Sequence, residues 1–586
     1  MDKPHNRGID LNWKIGGVGG FGLQAAGALF AKVMRRTGFY VFVTHEYPNI
    51  IKGGHAATEV RVADTPLTSH RDGVDILVAL DADTITRHAG EMRSGAVLLY
   101  DTETVESVPT LADSTIRVIG IPFVKISRET AKMDLARNTV AIGASLALIE
   151  CGRLDHFMAV LGLVFERKGS DIVTANQRAA QAGYDHVGTE NSHTFACSVP
   201  SGTPPDTILV NGNEAMSLGA LAAGCQFLAM YPMTPTSSIL HSMAAWQKNF
   251  PLVVKHTEDE IAAMNMIAGA SFAGVRAMTA TSGGGFSLMT EALGMIGMME
   301  LPVVCIMGMR VGPSTGMPTW TEQGELRFVL HASQGEFPRI VLAPGDVEEA
   351  FILTAEAFNW ADQFQCPVLL FTDKHLSDLS NTVAPFDAHP ITINRGPLLA
   401  KTNAAVGEPF ARYALTENGI SPRTIPGQAG GEHISTSYEH DTWGYYTEDG
   451  SVHVEQTDKR MRKLEHALDV LPKPVLIGPA KADVTFIAWG SNKGNIQEAL
   501  GRLAAKGVTA NFVHVVVLAP FPVEALTKIL TAATTIINVE NNATGQFAGL
   551  LREHTGIVPQ HNMLKYDARP FSPQEIVDKT LELLKK

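Results

Sequence analysis

The chain has 586 residues, 45% of them apolar and 18% charged, an ordinary globular balance that excludes a disordered tail, a fibre or one small stapled domain. Acidic residues outnumber basic ones by 60 to 47, and the formal charge of −13 removes the positive field that non-specific nucleic-acid binding needs. The five cysteines, Cys151, Cys197, Cys225, Cys305 and Cys366, form no CxxC pair. Their odd number, wide spacing and apolar neighbours read as buried free thiols of a reducing compartment, with no zinc knuckle and no iron–sulfur cluster on this chain. The opening MDKPHNRGIDLNW lacks an apolar signal core, and ALGMIGMMELPVVCIMGM is broken by Glu300 and Pro302. A cytoplasmic chain without a membrane partner is expected.

In chain order, residues 12–150 alternate strand-like runs (NWKIGGV, FYVFVTHEY, DILVAL, AVLLYD, RVIGI) with a helical pattern in FGLQAAGALFAKVMRR. This is the βα rhythm of a parallel sheet covered by helices. Residues 153–190 read as mostly helical, and CSVPSGTPPDT as a linker. A second βα series starts near Ile208, with strands in CQFLAMY, LVVKHT, VRAMTATS, PVVCIMG, RIVLA and PVLLFT and helices at 257–273, 283–299 and 346–363. From about 376 to 465 periodicity is lost, which suits a functional or subunit-contact role. A third unit covers 483–586, with strands in DVTFIAWG, TANFVHVVVLAP and TTIINVE. The expected fold class is α/β, with three doubly wound domains.

GVGGFG (17–22) matches GxGxxG between a strand and a helix, and Glu46 follows where a ribose-binding acid would stand. Taken alone the pattern points to NAD, with tight helix-on-strand packing as the plainer alternative. Lys52, in IIKGGHAAT (50–58), is a phosphate contact or a solvated turn. YPMTPTSSI (231–239) closes an apolar run, where open α/β sheets place ligands, and offers Thr234, Thr236 and Ser237 hydroxyls.

In HTEDEIAAMNMIAGASFAG (256–274), Glu258 and Asp259 suit a helix start, while Glu260 faces an almost continuously apolar helix with no basic partner. A carboxyl held there is desolvated and protonated near neutrality, unless it is simply a cap. TSGGGFSLM (281–289) offers free N–H groups before a helix. MGMRVGPSTGMPT (307–319) places Arg310 at a strand end, as a carboxylate clamp or a surface ion pair. NVENNATG (538–545) reads as a strand-end turn.

Together YPMTPTSS, TEDEIAAMNMIAGASFAG, TATSGGGFSLM, MGMRVGPSTGMPT, PFP (520–522) and VENNATGQ (539–546) resemble the alpha subunit of 2-oxoacid:ferredoxin oxidoreductases with a gamma domain fused in front. GGVGGFGLQ, YPNIIKGGHA and DKRMRKLE (458–465) extend the resemblance over the whole chain, most closely to 2-oxoglutarate:ferredoxin oxidoreductase. It implies a gamma domain at 1–195, a thiamine diphosphate pyrimidine-binding domain at 205–380, an irregular connecting segment at 381–470 and a transketolase C-terminal-like domain at 471–586.

The implied reaction interconverts 2-oxoglutarate, CoA and oxidised ferredoxin with succinyl-CoA, CO₂ and reduced ferredoxin, running as carboxylation when ferredoxin is sufficiently reduced. The family's Mg²⁺–diphosphate motif begins with GDG, and this sequence contains no GDG; RDG (71–73) and EDG (448–450) come nearest. The chain is therefore expected to carry no metal ligands and to share thiamine diphosphate with a beta subunit that brings Mg²⁺ and a [4Fe–4S] cluster, in an (αβ)₂ assembly that meets ferredoxin.

By position, Glu260 resembles the glutamate that hydrogen-bonds the aminopyrimidine, Arg310 the residue pairing with the substrate carboxylate, and Thr234 the hydroxyl facing the substrate. Tyr231, Pro232, Ser282 and Gly283 fall on the thiamine side, and Met233 stands where isoleucine is more usual. Gly17, Gly19 and Lys52 fall on a CoA side, displacing the NAD reading. The alternatives are the same chemistry on pyruvate or another 2-oxo acid, and a CoA-binding or docking scaffold.

Overall fold

The computed structural model describes residues 9–50, 53–191, 194–197, 206–402 and 409–585. Among them are three sheets flanked by helices. The chain divides into two compact units: one runs to Val210 and adds Leu379–Pro385 and Ser572–Gln574, and the other takes Asn211–Asp378, Phe386–Phe571 and the chain from Glu575 onward. No helix among the described residues is long and apolar enough to cross a membrane.

The first unit holds an eight-stranded sheet in the order Arg117–Ile121, Met92–Asp101, Val74–Ala79, Asp10–Val18, His55–Ala63, Tyr40–Glu46, Ser380–Val383, Ile208–Asn211. Half of it keeps the expected parallel rhythm: Asp10–Val18, Val74–Ala79, Met92–Asp101 and Arg117–Ile121 pair in parallel. The other half departs from it. HAATEVRVA is a strand, paired antiparallel with both Asp10–Val18 and Tyr40–Glu46, so the sheet is mixed. Its alternating Val60, Arg61 and Val62 lie in a run whose glycine-rich start reads as a loop.

Two of the five cysteines correct the expectation of free thiols. Cys151 and Cys197 are joined by a disulfide, while Cys225, Cys305 and Cys366 are free and buried. Forty-six residues separate the pair in sequence, but Phe195 bridges Ile149, donating its N–H to Leu148 O at 2.9 Å and accepting from Glu150 N at 3.0 Å. That pairing brings the two Cα atoms to 5.6 Å, a reach that bridges readily.

The second unit carries the other two sheets. The seven-stranded one runs Val517–Ala519, Ile340–Leu342, Pro367–Asp373, Val303–Met309, Ala277–Thr281, Phe227–Met230, Val253–His256, all parallel except the antiparallel edge Val517–Ala519. Its central strand VVCIMGM is buried along its length, as a strand covered on both faces must be. The five-stranded sheet runs Val475–Ile477, Ala510–Val515, Val484–Trp489, Ile536–Glu540, His561–Leu564. One apolar cluster continues from Val303 and Phe286 to Trp489, Val515 and Phe547, so the two sheets share a core.

The connecting segment is more ordered than its sequence suggests. It contains the helix Gly450–Arg462, which buries Gln456, Lys459 and Arg460 rather than an apolar stripe. Periodicity in hydrophobicity cannot find such a helix. Its anchor is ionic: Lys459 Nζ lies 2.7 Å from Glu300 Oε1, Lys463 pairs with the same carboxylate, and Arg412 donates to the Glu300 carbonyl at 3.0 Å. A second knot holds Asp362 against Arg276 (2.9 Å), Arg395 (2.9 Å) and Arg423 (2.6 Å).

Candidate functional site

The segments singled out in the second unit all leave the C-terminal ends of four adjacent parallel strands. The 231–235 loop follows Phe227–Met230, Glu260 follows Val253–His256, Ser282 and Gly283 follow Ala277–Thr281, and Arg310 follows Val303–Met309. An open α/β sheet gathers ligands at this edge because loops diverge there and helix N-termini point inward.

Glu260 opens the helix Glu260–Phe272 without capping it. Asp259 does that, its carboxylate accepting from Ala262 N at 2.8 Å, while Thr257 Oγ1 donates to the Asp259 carbonyl. Glu260 is thereby left over: it is 3% exposed, and its Oε1 has no hydrogen-bond partner among the described residues. Burial, and to a lesser extent the negative charge of Asp259, raises its pKa above the usual carboxylate value. The carboxyl lies against Gly285 so closely that a Cβ there would stand 2.6 Å from Oε1. Ser282, just before the helix Gly283–Met298, is fully buried, and its Oγ is likewise unpartnered among the described residues.

Arg310 is half-buried and donates Nη1 to the Thr234 carbonyl at 2.9 Å, tying two of the segments together. No carboxylate among the described residues comes within ion-pair distance of its guanidinium, so the surface ion-pair alternative does not describe it. Tyr231 is 38% exposed, its ring 6.1 Å from that of His256 at the open side of the same loop.

One acid of this site was not among the residues singled out. Glu325, in TWTEQGEL, lays its carboxyl against the backbone of Gly283, where a Cβ would stand 2.8 Å from Oε1. Its Oε2 is buried without a partner. Burial first, then the charge of Glu322, pushes it up to about 8, with Arg310 drawing it back only in part. The available signal was two carboxyls three residues apart behind a hydroxyl-rich loop, which alone is a solvated turn.

The segment holding Glu325 is pinned by the C-terminal ends of the five-stranded sheet. Gln323 N donates to Asn541 O at 2.7 Å and Gln323 Nε2 to Trp489 O at 3.1 Å, while its Oε1 accepts from Asn492 and from Asn541 N. Gln546 Nε2 donates to Gly324 O at 2.7 Å. Behind them Glu540 is fully buried and accepts from Asn538, Asn542, Phe547 N and Ala548 N. The VENN turn is a buttress for the site segment.

In the first unit, the GVGGFG turn is packed on its own chain. Gly19 N donates to Gly54 O at 2.8 Å, a Cβ on Gly19 would stand 2.7 Å from Gly53 O, and one on Gly17 would stand 3.1 Å from Leu80 Cβ. Glu46 turns toward the buried Lys14, 4.0 Å away, and Tyr40–Glu46 is not a parallel neighbour of Asp10–Val18. A dinucleotide fingerprint needs that parallel neighbour. Lys52 lies outside the described residues.

Comparison with known proteins decides the family. An alpha subunit of 2-oxoacid:ferredoxin oxidoreductase 2 from Aeropyrum pernix is 32% identical over 98% of this chain and 98% of its own length. The chain belongs to the 2-oxoacid:ferredoxin oxidoreductases, as an alpha subunit. Three family models match in order: pyruvate ferredoxin/flavodoxin oxidoreductase at 12–186, pyruvate flavodoxin/ferredoxin oxidoreductase, thiamine diphosphate-binding, at 218–459, and pyruvate:ferredoxin oxidoreductase core domain II at 482–569. The 2-oxoglutarate oxidoreductase subunit KorA of Mycobacterium tuberculosis is 30% identical over 92% of this chain and 86% of its own. The solved 2-oxoglutarate:ferredoxin oxidoreductase from Magnetococcus marinus, with 2-oxoglutarate, coenzyme A and succinyl-CoA bound, superposes with a TM-score of 0.90 at 30% identity, covering 98% of this chain and 99% of that one. Family membership displaces the NAD reading.

Proposed function

We propose that this chain supplies the aminopyrimidine half of a thiamine diphosphate site in an enzyme that interconverts 2-oxoglutarate, CoA and oxidised ferredoxin with succinyl-CoA, CO₂ and reduced ferredoxin. The carrying observation is Glu260: a buried carboxyl with an unpartnered oxygen, raised pKa and a glycine cradle, at the ligand-gathering edge of a parallel sheet. A structural carboxylate in the same unit, Glu540, has every neighbour it needs, so Glu260 is left for something brought from outside.

The residues fit one end of the cofactor. A neutral Glu260 donates a hydrogen bond to a pyrimidine ring nitrogen, and the Ser282 hydroxyl and the Gly283 backbone line the same wall. When bound, thiamine diphosphate supplies the electron sink through which a 2-oxo acid loses CO₂. Glu260 holds the proton that it would share with that ring nitrogen, easing loss of a proton from the ring's exocyclic amino group so that the group can then accept one. The Arg310 guanidinium takes the carboxylate beside the reacting carbonyl, the Thr234 hydroxyl orients the oxo oxygen, and Tyr231 and Pro232 shape the outer wall.

The diphosphate end, Mg²⁺ and a [4Fe–4S] cluster fall to a beta subunit in an (αβ)₂ enzyme that meets ferredoxin. In the first unit, the turn at Gly17 and Gly19 is the CoA side. The KorA-type relatives support 2-oxoglutarate as substrate. The test is reconstitution with the beta chain, thiamine diphosphate, Mg²⁺ and CoA, following viologen reduction. Reduction that needs both chains and favours 2-oxoglutarate over pyruvate is expected. A preference for pyruvate removes the substrate assignment, and no reduction with any 2-oxo acid removes the catalytic reading in favour of a scaffold.

A further inference from the structure

One buried carboxyl, Glu325, acts electrostatically on the arginine proposed to clamp the substrate, yet does not pair with it. Glu322 accepts from Gly312 N at 3.3 Å, just beyond Arg310, and Glu325 sits over Gly283 with one oxygen unpartnered. A fold that only needed stability would close this gap: Asp362 and Glu300, elsewhere in the same unit, each draw in several cations. Glu325 is not loosely placed either. Gln323 is fixed through its main chain and its side-chain amide, Gly324 O is held by Gln546, and Arg327 N donates to Gln546 Oε1 at 3.0 Å. An acid held firmly on both sides at a site edge, and left without its obvious counter-ion, is the arrangement expected of function.

Resting on the reading that Arg310 binds a substrate carboxylate, we propose that Glu325 is a positioning residue for Arg310. As the neutral acid it leaves the guanidinium's charge to the incoming 2-oxo acid, and as the anion it competes with that acid for the same cation. One side chain thus sets the pH range over which the site accepts an anionic substrate.

The surrounding charges give the sign. Facing Glu325 are Glu322 on its own segment, Arg310 from the strand end, and the uncharged backbone of Gly283 from the helix Gly283–Met298; Glu260 stands beside Gly285 of that helix. Burial and Glu322 favour the proton on Glu325, which is lost only near pH 8. Below that pH the site presents an uncompensated Arg310. Above it the Glu325 anion takes up the charge, and substrate binding must drive a proton back onto Glu325.

The test compares the reconstituted wild-type enzyme with Glu325→Gln, using 2-oxoglutarate from pH 6.5 to 9. The wild-type KM should rise above pH 8, reaching about tenfold by pH 9, the factor for a group one unit past its pKa. The Glu325→Gln KM should stay flat near the wild-type low-pH value, with kcat following one pH course in both, since that course reports Glu260. Glu322→Gln, which removes the like charge, should move the rise to lower pH.

A second measurement needs no turnover. Titration calorimetry of 2-oxoglutarate into the thiamine-free complex at pH 8.5, in buffers of different ionisation enthalpy, should show proton uptake by wild type and none by Glu325→Gln. If the variant tracks wild type in both KM and proton uptake, or Glu322→Gln moves the rise upward, the proposal fails while the site reading stands. If neither protein binds a 2-oxo acid, the site reading fails first and takes the proposal with it.

Discussion

Two regions of the second unit bury charge in opposite ways. Where the connecting segment packs, Glu300 meets its Lys459 and Lys463, and Asp362 meets its Arg395 and Arg423 together with Arg276. At the strand ends, Glu260 and Glu325 each have a buried oxygen with no partner among the described residues, none of which brings a carboxylate to ion-pair distance of Arg310. Burial works to raise the pKa of Glu300 as it does for Glu260, but Lys459, Lys463 and Arg412 outweigh it and hold Glu300 well below the usual carboxylate range. Paired buried charge fixes a segment that has little apolar surface to do so. An unpaired buried carboxyl costs stability and is kept for what binds there.

The contrast can be broken most severely by removing one carboxyl from each region. Glu260→Gln should cut kcat of the reconstituted enzyme by about 10²–10⁴-fold, the span of a lost acid–base group, with the chain still folded. Glu300→Gln should leave activity per folded molecule alone but strand two buried ammonium groups, costing about 3–5 kcal/mol in chemical denaturation. Retained stability there would show that the charge knot is not what anchors Gly450–Arg462.

Smaller changes sharpen it. A methyl group at Gly285 would run into Thr281 Oγ1 and stand 2.6 Å from Glu260 Oε1, so Gly285→Ala should cost about 1–3 kcal/mol and most of the activity together. An unaffected kcat would detach Gly285 from the site. Arg310→Lys keeps the charge and loses the planar fork; KM for the 2-oxo acid should rise about tenfold while thiamine diphosphate affinity, read by fluorescence titration, stays. An unchanged KM would remove Arg310 as the clamp.

What the sequence made legible follows the same division. Elements built from apolar periodicity could be read directly: the central strands, and the helices beginning at Glu260 and Gly283, were expected close to where they stand. The strand ends then placed Thr234, Ser282 and Arg310 on one edge. Elements held by polar contacts could not be read. Gly450–Arg462 buries lysine and arginine, the Cys151–Cys197 bridge depends on Phe195 pairing with Ile149, and the strand His55–Ala63 hides behind a glycine-rich start. Glu325 reaches the site only because Gln323 is pinned by Trp489 and Asn541, residues 166 and 218 positions away. No local pattern carries that information.

Burial raises the pKa of Glu260 and so makes its ionised form costly to the fold. A carboxyl whose pKa is raised on folding contributes most below its ordinary value of 4.5, and that contribution is lost as pH rises toward the folded value. The most direct measurement is therefore the Tm of Glu260→Gln minus that of wild type, taken from pH 5 to pH 8. This difference should grow more positive as pH rises, because glutamine has no proton to lose. A difference that turns more negative with rising pH would contradict the raised pKa, making Glu260 an ordinary ionised carboxylate that the fold itself uses.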